Sequence, residues 1–290
     1  MSQTLESVKK RINSIEATKK ITSTMQLVSS VKVRKLINVF NEKKNILETQ
    51  KIILNNAVFL SKSDVIKNFN NKLLKENKKE NRKLYVVIMS NLGLCGGYNQ
   101  LLYKYFQSIY KEGDEVILIG RKAVSLFNND NNIKAYTDFV NVANNLENSD
   151  FDNLIDFIIK KYVSDKYNSI HVAYQRYVNS LISLPIAKKL LPLEINYKNN
   201  LNSYEPEYIP SLEVFIEKFI PFYLGNYLKT IFYEASLSEQ TIRRNMMDNA
   251  DKSAKDLIES LKLEYNKERQ TLITNEITEV VNSANAIKKS

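Results

Sequence analysis

The chain has 290 residues, 43% of them hydrophobic and 26% charged, with a formal charge of +10. That balance excludes disorder as the default state and is enough for one large domain or two modest ones. A single cysteine, Cys95, excludes an internal disulfide, and a single histidine, His171, argues against a His-based metal site or a His-dependent triad.

Residues 1–92 contain neither Gly nor Pro, and neither do residues 226–290. All six glycines lie from Gly93 to Gly225 and all five prolines from Pro185 to Pro221. Because Gly costs backbone entropy in a helix and Pro removes a donor and clashes, two uninterrupted helical ends around a punctuated middle are expected. In the first of these ends, Leu5, Val8, Ile12 and Ile15 step by three and four. Ile21, Met25 and Val28 resume the stripe, and Leu36, Phe40, Leu47 and Leu54 extend it less strictly. Residues 1–40 carry eight Lys or Arg against two Glu. The polar, basic stretch 62–83 reads as a linker or a frayed helix end.

Next come a short apolar run, LYVVIM at 84–89, and a Gly-rich turn, SNLGLCGGYN at 90–99. A second apolar run, VILI at 116–119, stops at Gly120, and 170–178 alternates like a half-buried strand. Helices are expected at 98–111, 121–128 and 151–162, with an Asn/Asp loop at 128–132. Strands alternating with helices of this length argue for a small α/β layer structure. Toward the end, Ala250, Ala254, Leu257, Leu261 and Tyr265 form a seam that Ile273, Ile277, Val280, Ala284 and Ile287 continue. Such narrow stripes mark helices that bury one face against another helix. A helix over 226–287 would be about 90 Å long, longer than any core this chain can build, so it is expected to project. The division is a helix over 1–61, a linker over 62–83, an α/β domain over 84–208 and a helix over 209–290.

Few residues invite chemistry. The Gly-rich turn follows a strand and precedes a helix, where phosphate loops sit, but Gly93, Gly96 and Gly97 do not fit G-x-G-x-x-G and no Gly-Lys-Ser/Thr follows. Gly93, Cys95, Gly96 and Gly97 are read as a structural strand-to-helix turn, with Cys95 packed in it. His171 reads as a packed or surface residue, and Glu205 and Glu207, which flank Pro206, as solvated loop acids. The basic N-terminal helix is compatible with phosphate contacts, but residues 1–39 hold no aromatic on which a base could stack. The richest apolar stretch, 215–233, is interrupted by Glu217, Lys218, Gly225 and Lys229, so no membrane span is expected.

Several separated segments together resemble the gamma-subunit family of F-type ATP synthases. KKRINSIEATKKITSTMQLVSSVKVRK at 9–35 is similar to the family's R-I-x-S-I-x-x-T-x-K-I-T-x-A-M signature, and GLCGGYN at 93–99 to its G-L-C-G-G-x-N. SEQ at 238–240 and LKLEYNKERQTLITNEITEVV at 261–281 resemble its S-E-Q and L-x-x-x-Y-N-x-x-R-Q-x-x-I-T-x-E-x-x-E-I-V, and YEP at 204–206 fits a short segment before the last helix. The chain departs from the pattern at Asn91 and Leu92, where the family has Asp and then Arg or Lys. It departs again at Arg244 and Asn245, at 251–254 and at 283–284.

The resemblance implies a mixed α/β fold: a long antiparallel coiled coil of the N- and C-terminal helices with an inserted Rossmann-like α/β domain. It implies a central rotor shaft that couples rotation at the membrane ring to ATP synthesis or hydrolysis, with no catalytic residue, cofactor or metal of its own. The implied partners are the alpha and beta subunits of the head, an epsilon-type subunit and the membrane c-ring, with no nucleic acid and no direct membrane insertion. Arg269 and Gln270 would contact a loop of beta, and Lys20, Ile21, Thr22 and Met25 would face its acidic lever. The N-terminus lacks the apolar core of a signal peptide and no transit peptide is seen, so a peripheral position on the cytoplasmic face of a bacterial cell membrane is expected. Two alternatives are a gamma-like shaft of a divergent ATPase devoted to other mechanical work, such as motility, and a free-standing helical adaptor or nucleic-acid-binding coiled coil.

Overall fold

The computed structural model describes residues 2–62, 72–77, 80–128, 130, 132–147, 149–194 and 207–287. The segment at 204–206 that contributed to the resemblance, with Glu205, and part of the 62–83 stretch lie outside them. The described elements are α1 (Ser2–Lys62), β1 (Lys83–Ile88), α2 (Tyr98–Ile109), β2 (Glu115–Ile119), α3 (Arg121–Phe127), β3 (Lys134–Tyr136), α4 (Ser149–Val163), β4 (Ser169–Tyr177), β5 (Ser183–Leu191) and α5 (Leu212–Ile287). Short 3-10 turns lie at Lys72–Leu74 and Val142–Asn144. The chain divides into two compact units, 1–30 with 243–290, and 31–242. α1 and α5 each contribute to both.

The larger unit is built on a five-stranded sheet in the order β3-β2-β1-β4-β5. All pairings are parallel except β4 with β5. This is the α/β layer structure expected from the alternation of strands and helices, in the Rossmann-like form that the resemblance implied. The apolar runs are continuous because the parallel strands are covered on both faces. Leu84, Val86 and Ile88 of β1 join one core with Ile117, Val172, α4 (Leu154, Ile158) and parts of α1 (Leu54, Ala57) and α5 (Ile220, Leu228, Phe232). Tyr85, Val87 and Met89 point to the other face, against α2 (Leu102, Phe106) and α3 (Ala123, Phe127). In α4, Asp150 and Asp152 occupy the first turn and Lys160 and Lys161 the last, matching the helix dipole at both ends.

Two strands were not read from the sequence. β3 has three residues and little apolar content. β5 contains Pro185, which argues against a central strand, but β5 is an edge strand, where the missing amide costs no ladder bond. The Ala187 amide donates to the Tyr105 hydroxyl at 3.2 Å, so that outward donor of the edge is already taken. The last helix begins at Leu212, within the 209–290 segment, and runs through Pro221 and Gly225 ahead of the breaker-free stretch 226–290. Burial of Ile216, Ile220, Leu224 and Leu228 on the sheet offsets the local cost of Pro221.

In the smaller unit α1 and α5 pack antiparallel. Val8, Ile12 and Leu261 form a buried cluster flanked by Ile15 and Tyr265, and Lys262 Nζ reaches Glu16 Oε1 at 3.7 Å. The seam differs from the expected one in three places. On α1 it continues through the buried Thr22 and Ser29, whereas Ile21 and Val28 are exposed. On α5 it runs through Ile258, and Leu257 is exposed. Beyond Tyr265, Ile273, Ile277, Val280, Ala284 and Ile287 are all exposed rather than buried in a continued seam.

Candidate functional site

The Gly-rich turn joins the carboxyl end of β1 to α2. Leu94 and Gly96 have φ of 62° and 55°, so the chain reverses through two left-handed residues before α2 starts at Tyr98. The Cys95 thiol is buried, 3.8 Å from Ser90 Oγ and 3.5 Å from Asn99 Nδ2. Asn99 clamps the turn from both sides. Its Oδ1 accepts from the Ser90 amide at 3.0 Å, and its Nδ2 donates to Ser90 Oγ at 2.8 Å. Ser90 Oγ in turn donates to the Leu92 carbonyl at 2.7 Å. Gly93, Cys95, Gly96 and Gly97 thus lie in one hydrogen-bonded strand-to-helix turn.

That turn is anchored to α5 and β4. Tyr98 Oη donates to the Ala235 carbonyl at 3.2 Å, three residues before the SEQ segment, and Gln175 Nε2 donates to the Tyr98 carbonyl at 3.0 Å. Two motifs about 140 residues apart in sequence therefore meet in the larger unit. Asn91, where the family pattern has Asp, accepts from the Arg121 amide at 3.0 Å and donates to Asn144 Oδ1 at 2.7 Å. An Asp at 91 would accept the same bond at the start of α3, so this departure keeps the cap. Gly120, not singled out as a site residue, has φ of 91°, and a Cβ there would lie 2.2 Å from the Met89 carbonyl oxygen. Its position after an apolar run was legible, but that close approach was not.

The smaller unit carries the residues expected to face a partner. Lys20 and Ile21 are exposed, Met25 is half-buried, and Arg269 and Gln270 are exposed. Thr22 is buried, and its Oγ1 donates to the Lys19 carbonyl at 3.0 Å, so its side chain belongs to the seam. Lys20 lies level with Lys255 and Lys262. Arg269 sits a further seven residues along α5, about 10 Å by helical rise, so the structure presents two separate surfaces.

The perturbed ionisable groups belong to packing. Burial pushes the His171 imidazole down to about 4, aided by Lys83 and Lys189, so it is neutral near pH 7. Its Nδ1 is buried without a partner among the described residues. Burial would raise the Glu115 carboxyl, but hydrogen bonds from Tyr136, Tyr167 and Lys134 outweigh it and hold the group at about 2. The two tyrosine hydroxyls each donate to Glu115 Oε2 at 2.6 Å, and Lys134 Nζ meets Oε1 at 2.9 Å. Glu207, one of the two loop acids, shows no group paired with it for acid/base work among the described residues, and no cluster there has metal-ligand geometry.

The family model described as ATP synthase matches residues 4–287. The ATP synthase gamma chain of Mycoplasma capricolum subsp. capricolum is 33% identical over 284 residues, covering 97% of this chain and 98% of the relative. That of Clostridium kluyveri is 33% identical over 289 residues, covering 98% of each. The chain belongs to the ATP synthase gamma chain family. Among solved structures, a chain in the mitochondrial ATP synthase of Euglena gracilis, described as OSCP/F1/c-ring in rotational state 3, aligns with a TM-score of 0.68. It is 17% identical and the alignment covers 99% of this chain and 95% of that one, which speaks to the fold. As a gamma chain, the molecule is a non-catalytic subunit. Among the described residues, no helix of this gamma-chain relative is long and apolar enough to cross a membrane.

Proposed function

We propose that this chain is the central rotor shaft of an F-type ATP synthase. It couples rotation at the membrane ring to ATP synthesis or hydrolysis in a head of alpha and beta subunits. The observation that carries this reading is the match to gamma chains over almost the full length of both sequences, ends included, where a shaft must act. The helices α1 and α5, of 61 and 76 residues, supply continuous backbone for transmitting torque. The neighbouring structures are described as rotor and as F1/c-ring assemblies, which supports head and ring partners here, and the family resemblance adds an epsilon-type subunit. The protein sits peripherally on the cytoplasmic face of the membrane.

In this reading residues 1–61 and 209–290 form the shaft, 84–208 the foot domain and 62–83 the linker between them. The exposed Lys20 and Ile21, with Met25, face the acidic lever of beta, and Thr22 acts from within the seam by holding that face in place. An attraction of lysines to an acidic lever is salt-sensitive and has no fixed register, which suits a surface that turns. Arg269 and Gln270 meet a loop of beta. Replacing both with Ala in the assembled complex is expected to lower coupled ATP turnover about fivefold, an interaction loss of about 1 kcal/mol, with the chain still folded. Unchanged turnover would remove these residues from the coupling. Affinity capture of the tagged chain from native membranes is expected to bring down the head and ring subunits together. Capture of the chain alone would overturn the reading.

A further inference from the structure

A cleft of about 470 Å³ opens at the carboxyl end of β1 in the larger unit, and nothing in the shaft reading uses it. β1 leads through α2 to β2 on one side, while β4 lies on its other side, so the order reverses here. In open α/β sheets the crevice outside the strand ends at such a reversal is where ligands bind. The volume is also in the range of small-molecule sites.

The walls have two chemistries. The apolar part comes from Ile88 and Met89 at the end of β1 and from Leu36 of α1. Lys32 and Lys35, three residues apart on α1 and therefore on one helix face, both line the cleft, and neither pairs with an acid among the described residues. Asn144 lines it as well. The one acid on the wall, Glu239, accepts from Gln240 Nε2 at 3.4 Å. The rim is held in advance of any ligand. Asn91 ties the β1 loop both to the α3 amide and to Asn144, and the Gly120 backbone lies against Met89, so little ordering cost remains.

From this cleft we infer a binding site for a small organic anion, with a phosphate or carboxylate head held by Lys32 and Lys35 and an apolar body against Ile88, Met89 and Leu36. A diffuse basic surface would favour anions without regard to shape, whereas this site requires both parts of the ligand.

The test titrates the full-length protein with 8-anilinonaphthalene-1-sulfonate, an anion with an apolar body, followed by fluorescence, and then adds ADP or inorganic phosphate as competitors. One saturable site is expected. Displacement by both competitors marks the head as the shared determinant, and displacement by ADP alone assigns a contribution to the organic body as well. Lys32→Ala with Lys35→Ala should weaken binding about tenfold. Lys9→Ala with Lys10→Ala, the same change of charge elsewhere on α1, should leave it within about twofold, since remote charges are screened. Ser236→Trp, which narrows the cleft and keeps both lysines, should also abolish binding while circular dichroism stays unchanged. Equal weakening by both lysine pairs, unaltered binding in Ser236→Trp, or no saturable binding would overturn the proposal.

Discussion

Glu115 and His171 tie the larger unit to pH in the same direction. A carboxyl held at about 2 in the fold and at 4.5 when free stabilises the fold above pH 4.5, and that stability is lost as pH falls from 4.5 toward 2. Glu115→Gln should therefore cost about 2 kcal/mol at pH 7 and almost nothing at pH 2, measured by urea unfolding across pH. His171 is held neutral, at about 4 against 6.5, so the unfolded chain takes up a proton first and stability falls between pH 6.5 and 4. His171→Gln should flatten the stability profile in that window alone. Gly120→Ala introduces a Cβ 2.2 Å from a backbone oxygen at a positive φ, and should cost about 3 kcal/mol or more by the same measurement. None of these three roles was legible in the sequence. Each depends on a partner 15 or more residues away, or on where one backbone passes another.

At the scale of elements, burial periodicity explains which expectations held. β1 and β2 were legible because strands covered on both faces carry unbroken apolar runs, and β4 because its residues alternate. β5 was not, because an edge strand tolerates Pro and polar residues. On α1 the stripe was followed through Ile21 and Val28 by hydrophobicity. Most of the buried series keeps a seven-residue phase instead, with Val8, Thr22 and Ser29 in one row and Ile12, Val33, Leu47 and Leu54 in another, until the buried Val58 leaves both rows. Ile21 and Val28 stand one residue, about 100°, out of that phase. Phase outranks polarity here because small hydroxyl residues let helices approach closely. α5 runs unbroken through Pro221, whose local cost is outweighed by packing. Pro221→Ala should then stabilise the chain by about 1–3 kcal/mol, seen as a higher urea midpoint. An unchanged or lower midpoint would mean that the proline ring itself contributes packing.

For the molecule as a whole, the family was legible because most of its motifs fall at the ends and at one turn, and the structure gives the turn a physical reason. The Gly-rich turn is closed by Asn99 and tied to α5 at Ala235, and Arg269 and Gln270 stand exposed beyond the α1–α5 seam. The surface of the rotor was less legible. Thr22 turned inward, and the apolar residues Ile273, Ile277, Val280 and Ile287 are exposed. A helix end with that exposure acquires its purpose only from what surrounds it. The most direct test is rotation itself. Leu181, 82% exposed in the β4–β5 hairpin, can be replaced by Cys and labelled selectively, since the native Cys95 is buried. With the chain assembled into an immobilised head of alpha and beta subunits and a bead on that residue, ATP should drive stepwise rotation in one direction. A bead that stays fixed while the head hydrolyses ATP would contradict the assignment as the rotor shaft.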